Sequence, residues 1–448
     1  MRKALTGAIA TVIIIVVLAT GFVVTNPSAE TKNPDAYVGI TYCGDTVEDG
    51  KALIDKVKGY TNLFVLNSGL LQRDYTSVNE LGDYAVNAGM YFLPYFGAYV
   101  QATFEPWLED AKARWGDRFL GVYYGDEPAG KMLDDYVEYN DAVTGDVITK
   151  TRYGDLFIEQ QDGTQINYEI EGPIHLYQPS NGDQPNYEAI YYPDGASNVV
   201  NPAPSGFKYS SYQQLQEIKP FKTFEEAYQR FIDRDETNVG FLNSSAQVYT
   251  SDYDLYWYDY QAGYNVVWAQ IGWNLSYTQQ IAQIRGAADM QGKDWGVIIT
   301  WKYQTPPYLD DAAEVYSQMR NAYLCGAKYI VVFNYYESGS GAYGTMQQAH
   351  FQAVQDFWNN VVRSRSENRG SIKADSAVVF PQYYAWGGRW AQDNIWGIFK
   401  ADDQTATMWD TMQSAIKTHG LNLDIVYSDQ NSPLIEKYLR IYNLTKVD

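Results

Sequence analysis

The 448-residue sequence predicts an α/β protein built on a (β/α)8 TIM barrel, and three observations lead to this fold. Short apolar runs of strand-like composition alternate with segments whose apolar residues recur at helical spacing, a pattern typical of parallel sheets. The alternation repeats eight times between residues 36 and 362, which is the number that closes a barrel. The length leaves room for one such barrel and a small additional domain.

Eight short apolar runs are predicted to be the barrel strands. In chain order they are Tyr37–Cys43, Asn62–Asn67, Met90–Phe96, Phe119–Tyr124, Gln247–Thr250, Asn265–Ile271, Trp295–Trp301 and Tyr329–Asn334. Segments with apolar residues at helical spacing are predicted to be helices. These are Val47–Lys58, Val78–Ala88, Phe104–Trp115, Met132–Ala142, Thr223–Asp235, one with Tyr277, Ile281, Ile284 and Ala288 on one face, one with Ala312, Val315, Met319 and Ala322 in its stripe, and Thr345–Val362.

Two regions depart from this alternation. Residues 146–204 are rich in Gly, Pro, Asn and Tyr and contain short β-like runs, which predicts a β-rich insertion or lid after strand four. After a charged linker at 363–373, residues 374–448 indicate a small C-terminal α/β domain. Its predicted elements are the strands Ala377–Phe380, Leu423–Tyr427 and Leu439–Tyr442 and the helix Thr405–Thr418.

The N-terminal residues indicate export. Arg2 and Lys3 precede an apolar run from Ala4 to about Val24, which is long enough to span a bilayer with the positive charges inside. The run resembles the leader of archaeal prepilin-like exported proteins, and a polar linker follows at 26–35. Residues 1–25 are expected to be a cleaved signal peptide or a retained membrane anchor, and both alternatives stay open. The protein is thus expected outside the cytoplasm, secreted or anchored to the outer face of the cell membrane.

Two further features bear on this compartment. Asn-X-Ser/Thr triplets at Asn243, Asn274 and Asn443 agree with export and predict a glycoprotein. The only two cysteines, Cys43 and Cys325, fall at opposite ends of neighbouring predicted strands. We therefore expect no disulfide between them, although the compartment is oxidising.

The composition favours carbohydrate over nucleic acid as a partner. The net charge is −21, whereas nucleic acid rewards basic surfaces. The 41 tyrosines offer amphipathic rings that stack on sugar faces, although a Tyr-rich surface would give the same composition. His175, His350 and His419 are the only histidines and lack ligand spacing, so no cofactor is expected, while an oxygen-ligated calcium stays open.

The stretch Phe119–Lys131 carries the most specific signal for function. Strand four stops near Gly125, and Asp126 and Glu127 follow directly, at the barrel face where catalytic residues lie. This placement favours a general acid, whereas helix capping is the structural alternative. The stretch also fits the phosphate-loop pattern G-x4-G-K, but Met132 replaces the Ser or Thr that binds magnesium, and acids occupy the loop.

At these residues the chain resembles the clan of glycoside hydrolases whose fourth barrel strand ends in Asn-Glu, often followed by Pro. The resemblance implies that Glu127 is the acid/base and that Asp126 stands at the position of the Asn. The clan's nucleophile is a Glu at the end of strand seven, and Ile298–Tyr303 supplies none. Glu337 after strand eight is the predicted substitute, and Asp252 after strand five is the second choice. Cleavage needs two such carboxyl groups, ~5 Å apart for retention or ~6.5–9.5 Å apart for inversion.

The residues predicted to bind the sugar lie at the same strand ends. They are Asp126, Trp273, Trp301, Lys302, Tyr303 and Tyr336. The C-terminal unit, beginning AVVFPQYYAWGGRW, resembles a shortened form of the amidotransferase-like domain that follows the barrel in some β-galactosidases. The sequence therefore predicts an exported glycoside hydrolase acting on an oligo- or polysaccharide. The alternative is a non-catalytic carbohydrate-binding or cell-envelope surface protein, which the missing strand-seven acid favours.

Overall fold

The computed structural model describes residues 34–97, 101–133, 223–273, 275–303, 306–335, 343–397, 403–429 and 437–445, residues 399 and 401, and the backbone of eight strands between 137 and 218. The chain divides into two units, residues 1–35 and residues 36–448, and the barrel belongs to the second. The predicted leader lies outside the described residues. Within the described ones, no helix is both long and apolar enough to cross a membrane.

Eight parallel strands close into a barrel in chain order, which confirms the predicted fold class. They are β1 (Tyr37–Tyr42), β2 (Leu63–Leu66), β3 (Tyr91–Phe96), β4 (Val122–Tyr124), β5 (Val248–Asp252), β6 (Val266–Ile271), β7 (Asp294–Ile299) and β8 (Tyr329–Val332). Ile40 of β1 pairs with Val332 of β8, so the ring closes without a free edge. The bounds differ from the prediction by a few residues, and β5 continues through Ser251 and Asp252.

Helices connect these strands. They are α1 (Val47–Val57), α2 (Tyr75–Asn87), α3 (Gln101–Trp115), α4 (Phe224–Asn243), α5 (Tyr256–Gln261), α6 (Tyr277–Gln291), α7 (Ala312–Leu324) and α8 (Gln348–Phe357), the last continued by a π-helical segment, Trp358–Arg363. The side chains of Thr46, Asp74 and Ser276 cap three of them by accepting hydrogen bonds from first-turn N–H groups. Helix α5 was not predicted, because it is short and buried on nearly every side and so lacks an amphipathic period.

The interior of the barrel is filled by aromatic and branched side chains. Tyr37 stacks on Tyr329 with ring centroids 4.8 Å apart, and the hydroxyl groups of Tyr249 and Tyr329 lie 3.1 Å apart. The fully buried ring of Trp268 fits beside Gly296, where a Cβ would lie 2.7 Å from its Cδ1 atom. The barrel is therefore a packed core, and its cleft opens at the carboxyl ends of the strands.

Between β4 and α4 the chain forms an eight-stranded antiparallel sheet, which confirms the predicted insertion. Its strands are Val137–Asp141, Val147–Lys150, Leu156–Glu159, Gln165–Ile170, Ile174–Tyr177, Glu188–Tyr191, Ser197–Val200 and Leu215–Ile218. They extend beyond 146–204 on both sides. The helix predicted at Met132–Ala142 is wrong, because a short 3₁₀ turn, Gly130–Leu133, leads into the first strand. There Val137 and Tyr139 alternate with polar residues, a two-residue period that favours a strand.

The C-terminal residues form a three-stranded parallel sheet and one helix. The strands are β9 (Ser376–Phe380), β10 (Leu423–Tyr427) and β11 (Arg440–Asn443), and the helix is α9 (Asp403–His419). Arg285 of α6 is buried and pairs with buried Asp424 of β10 at 2.7 Å. It also donates to the carbonyl oxygens of Leu421 and Leu423. The sheet is thus fixed to the barrel wall by a desolvated, hydrogen-bonded ion pair, and its resemblance to an amidotransferase-like domain stays a prediction.

The cysteines and the glycosylation triplets have distinct positions. Cys43 lines the cleft, with its Sγ 3.5 Å from Oγ1 of Thr41, whereas Cys325 is buried. Asn243 donates from Nδ2 to the carbonyl oxygen of Gly263 at 2.5 Å, so its amide is engaged in a structural contact. Asn443 is exposed on β11, whereas Asn274 lies outside the described residues.

Candidate active site

A cleft of about 520 Å³ opens at the carboxyl ends of the barrel strands. Each of the eight strands, or the loop directly after it, contributes at least one lining residue. Three of these residues carry carboxyl groups, namely Asp45, Asp126 and Glu127. The remaining lining side chains include six aromatic rings, and no Lys, Arg or His lines the described part of the cleft. This composition suits an uncharged polar ligand with apolar faces.

The turn after β4 presents Asp126 and Glu127 to the cleft. Gly125 and Glu127 both adopt positive φ angles, 67° and 56°, and the N–H of Glu127 donates to the carbonyl oxygen of Ser251 at 2.8 Å. Positive φ is unfavourable for Glu, so the surrounding contacts hold this backbone in place. Lys131 Nζ lies 2.9 Å from Oε2 of Glu127 and donates to the carbonyl oxygen of Asp126 at 3.3 Å. The structure therefore presents both carboxyl groups side by side, with Glu127 in an ion pair.

Asp126 is the member of this pair that is held toward its protonated form. Burial raises the pKa of the Asp126 carboxyl, and the neighbouring negative charge of Glu127 raises it further. Lys131 and the hydroxyl groups of Tyr123 and Ser251 oppose this shift without cancelling it. An acid that keeps its proton above the usual range of Asp is suited to protonate a leaving group.

A chain of hydrogen bonds connects this acid to an aromatic ring across two strands. Trp273 donates its indole N–H to Oε1 of Gln270 at 3.1 Å, and the Gln270 amide donates to Oγ of Ser251 at 3.1 Å. Oγ of Ser251 lies 2.7 Å from the hydroxyl of Tyr123, which donates to Oδ1 of Asp126 at 3.2 Å. An indole N–H only donates, so the chain runs in one direction and ends on Oδ1. The other oxygen of Asp126, Oδ2, takes no part in this chain and lies 3.6 Å from Nζ of Lys131.

Asp252, the second choice for the nucleophile, does not line the cleft. Its carboxylate is fully buried and accepts hydrogen bonds from the N–H groups of Ala129, Gly130 and Tyr253 at 2.7–3.0 Å. This position suits an anchor for the turn that carries Asp126 and Glu127, and it does not suit a nucleophile. The contacts also exclude the phosphate-loop alternative, because a carboxylate already occupies the N–H groups that a phosphate would need.

Glycine is required at the centre of this anchor, since a Cβ on Gly130 would lie 2.0 Å from Oδ1 of Asp252. Burial raises the pKa of Asp252 to about 7, against the opposing backbone hydrogen bonds. Asp259, which is fully buried beside it, also has a raised pKa, from burial and from the charge of Asp252. The negative charge of Asp252 therefore disfavours ionisation of Asp259 in this buried place.

An aromatic wall stands beside the acid pair, made by the ends of β6, β7 and β8. Trp301 meets Trp273 at a centroid distance of 5.6 Å and Tyr335 at 4.6 Å, both edge to face. The backbone N–H of Trp273 donates to the carbonyl oxygen of Trp301 at 2.6 Å. Residue 272 must be glycine at this close approach, because a Cβ there would lie 2.3 Å from the same oxygen. The rings are therefore held at fixed angles, and Trp273 and Tyr335 remain partly exposed for stacking.

The remaining predicted site residues divide into two groups. Lys302 and Tyr303 are not among the lining residues, and Lys302 instead pairs with Asp310 at 2.7 Å. Tyr336 and Glu337 lie outside the described residues, so their roles stay predictions. Asp126, Glu127, Trp273 and Trp301 are brought together as expected. The sequence prediction of site residues omits most of the other lining residues, including the polar and aromatic ones nearest the acid pair and the aromatic wall: Tyr95, Tyr123, Ser251, Gln270 and Tyr335.

A signal for these residues is present in the sequence. Successive strand residues point to opposite faces, so inward positions continue to the strand end with a period of two. On β5 this period runs from buried Tyr249 to Ser251, and on β6 it runs from Trp268 to Gln270. The same period turns Asp252 away from the cleft. The sequence prediction ends β5 at Thr250, so the alternation is not extended to Ser251 and Asp252.

Metal binding has no support in the described part of the chain, where no group of three His, Cys, Asp or Glu side chains is placed to hold an ion. The cleft therefore offers carboxyl, hydroxyl, amide and aromatic groups as its chemistry.

No protein-family model matches the chain, and no curated protein does. Among solved structures, a GH5_18 protein from Streptomyces cattleya, determined in complex with GlcNAc, is 11% identical with a TM-score of 0.46, covering 92% of this chain and 98% of that one. An HpcH/HpaI aldolase from Desulfitobacterium hafniense is 10% identical with a TM-score of 0.28, covering 66% and 86%. An aldolase/citrate lyase family protein from Burkholderia cenocepacia is 10% identical with a TM-score of 0.27, covering 68% and 89%. The barrel assignment rests on the strand pairing of this chain itself.

Proposed function

We propose that this chain is an exported, glycoside hydrolase-like barrel that binds an oligo- or polysaccharide in the cleft and hydrolyses its glycosidic bonds. The observation that carries the proposal is the acid pair beside the aromatic wall, at the face of the barrel where catalytic residues lie. Flat rings supply stacking surfaces for sugar, and a carboxyl group with a raised pKa supplies a proton for the leaving oxygen. The apolar N-terminal run supports export.

The roles within the pair follow from the contacts. Asp126, whose pKa is raised by burial and by Glu127, acts as the general acid through Oδ2. Glu127, paired with Lys131, supplies negative charge next to the sugar carbon that becomes cationic in the transition state. This assignment reverses the one implied by the resemblance, which gives the acid role to Glu127. The N–H to carbonyl bond from Glu127 to Ser251 fixes both groups relative to the strand ends.

The alternative is a non-catalytic barrel that binds glycans at the cell envelope. One observation favours it: Asp252 is buried, so the described cleft holds no carboxyl group from β5 to face the acid pair. In that protein the aromatic wall would bind sugar, and the Lys131 ion pair would be purely structural.

A glycan array combined with a hydrolysis assay on the bound glycans separates the two functions. The proteins compared are wild type, Asp126→Asn, Glu127→Gln and the exposed control Glu48→Gln on α1. If the barrel is an enzyme, the Asp126 and Glu127 variants retain binding while turnover falls by about 10²–10⁴-fold, and the control matches wild type. Binding without turnover in all four proteins would support the binder and would rule out the hydrolase.

A further inference from the structure

Both described carboxyl groups of the acid pair enter the cleft from the same turn. Double displacement and inversion each require carboxyl groups on two sides of the scissile bond. Asp126 and Glu127 are consecutive residues after β4, so they reach the bond from one side. Asp45, the third carboxyl group of the described lining, is exposed and follows β1, three strands around the ring from β4, so it belongs to a different side of the mouth from the pair. The arrangement supplies an acid and a neighbouring carboxylate at one place.

We infer that the sugar cleaved in this cleft carries a 2-acetamido group and that the carbonyl oxygen of this group is the nucleophile. The inference rests on the proposed hydrolase function and names its substrate class. Glycosidases in which the substrate assists its own cleavage are known, and they dispense with a protein nucleophile. Such a site needs an acid for the leaving oxygen and an adjacent carboxylate for the acetamido N–H. Asp126 and Glu127 match these two needs.

The steps balance without any further reactant than water. The acetamido carbonyl oxygen bonds to the anomeric carbon, the glycosidic bond breaks, and the leaving oxygen takes the proton from Oδ2 of Asp126. The product is a cyclic oxazolinium ion, whose N–H donates to the Glu127 carboxylate. Water then bonds to the anomeric carbon and gives its proton to Asp126, while the bond from the acetamido oxygen to that carbon breaks and restores the amide.

The contacts assign separate oxygen atoms to these tasks. Oδ1 of Asp126 ends the hydrogen-bond chain from Trp273, whereas Oδ2 lies 3.6 Å from Nζ of Lys131, beyond hydrogen-bond distance, and is the atom assigned to the glycosidic oxygen. The ion pair with Lys131 engages Oε2 of Glu127, so Oε1 is the atom assigned to the acetamido N–H.

The rest of the described lining fits the same substrate. Trp301, Phe333 and Tyr335 pack against one another with ring centroids 4.6–6.2 Å apart, and together they offer an apolar surface to the methyl group of an acetamido substituent. No Lys, Arg or His is among the described lining residues, so the cleft suits an uncharged acetamido sugar better than an anionic sugar.

The first test uses 4-nitrophenyl N-acetylglucosaminides and chitobiosides as both anomers, compared with the matching glucosides and cellobiosides. A second series carries mono-, di- and trifluoroacetyl groups on the amide. We expect hydrolysis of the acetamido glycosides and a stepwise fall in kcat with fluorination, about 100-fold or more across the series, because the carbonyl oxygen becomes a weaker nucleophile. Hydrolysis of glucosides at similar rates, or no effect of fluorination, would overturn the inference and leave the hydrolase function standing. No hydrolysis of either kind of glycoside would overturn both.

The second test asks whether the protein supplies the nucleophile instead. The variant Glu337→Gln is expected to retain turnover of the acetamido glycosides within about tenfold, and the exposed control Glu48→Gln on α1 is expected to match wild type. A loss of three orders of magnitude in Glu337→Gln or in Asp45→Asn that azide restores would show a protein carboxylate nucleophile and would overturn the inference. Glu127→Gln is expected to lower kcat for acetamido substrates while KM changes little, since the carboxylate acts on the oxazolinium ion.

Discussion

The buried pair Asp252 and Asp259 makes the stability of this protein depend on pH in a direction opposite to that of most paired acids. The pKa of Asp252 is raised from 3.8 to about 7, so the folded state binds a proton that the unfolded chain releases near pH 4. The contribution of this group to stability is fully present below pH 4 and is lost as the pH rises through 7. A shift of about 3 pKa units corresponds to about 4 kcal/mol.

The perturbation that tests this is Asp252→Asn. The amide oxygen can still accept from the N–H groups of Ala129 or Gly130, but one of the present acceptors is lost, which costs about 1–3 kcal/mol at pH 5. The amide cannot ionise, and its NH₂ can donate to Asp259. The variant is therefore less stable than wild type at pH 5 and more stable at pH 8.

Thermal unfolding between pH 5 and pH 8 measures the effect. An unfolding entropy of about 2.1 cal/mol/K per residue gives roughly 0.9 kcal/mol/K for 448 residues. Between pH 5 and pH 8 the difference between the two proteins changes over about 2 pH units, from 5 to 7, which is about 2.7 kcal/mol and corresponds to about 3 °C in relative Tm, with the two curves crossing. Asp45→Asn, in which an exposed carboxyl is changed, should run parallel to wild type. Parallel curves for Asp252→Asn and wild type would refute the reasoning.

Three further predictions concern the barrel wall and the cleft. Arg285→Ala should lower the free energy of unfolding by about 3–5 kcal/mol in chemical denaturation, because it leaves the buried Asp424 carboxylate without its ionic partner; an equal loss in Arg285→Lys would argue that the guanidinium bonds to the carbonyl oxygens of Leu421 and Leu423 matter as much as the charge. Cys43 should react with a maleimide in the native protein and be protected by a bound glycan, whereas Cys325, buried with a pKa raised to about 11, should react only on unfolding, as peptide mass analysis can determine. Trp273→Ala should weaken glycan binding in calorimetry by about 1–2 kcal/mol, and unchanged affinity would remove Trp273 from the sugar platform.

The barrel could be predicted because its signals are local. Each strand is a short apolar run, and each helix repeats its apolar residues at helical spacing, so the eightfold alternation is visible without any long-range information. The acid pair could be predicted for the same reason, since Gly125 ends β4 and places Asp126 and Glu127 at the carboxyl end.

The parts that could not be predicted depend on contacts between distant segments. Asp252 is separated by more than 120 residues from the N–H groups of Ala129 and Gly130 that it binds, and no local pattern reveals this anchor. The sheet after β4 also depends on pairing across several turns, so its first strand at Val137–Asp141 was assigned as a helix. The hydrogen-bond chain from Trp273 to Asp126, and the direction in which its members donate, can be read only from atomic positions.

The position of the Asp252 anchor has a consequence for how this protein could vary. Ala129 and Gly130 are fastened to β5 immediately before the chain leaves the barrel for the antiparallel sheet. A change in the sheet is therefore separated from Asp126 and Glu127 by backbone that is hydrogen-bonded to Asp252. Lengthening, shortening or exchanging the sheet would leave the chemistry in register, so the region after Leu133 is the natural place to engineer new attachments onto this scaffold.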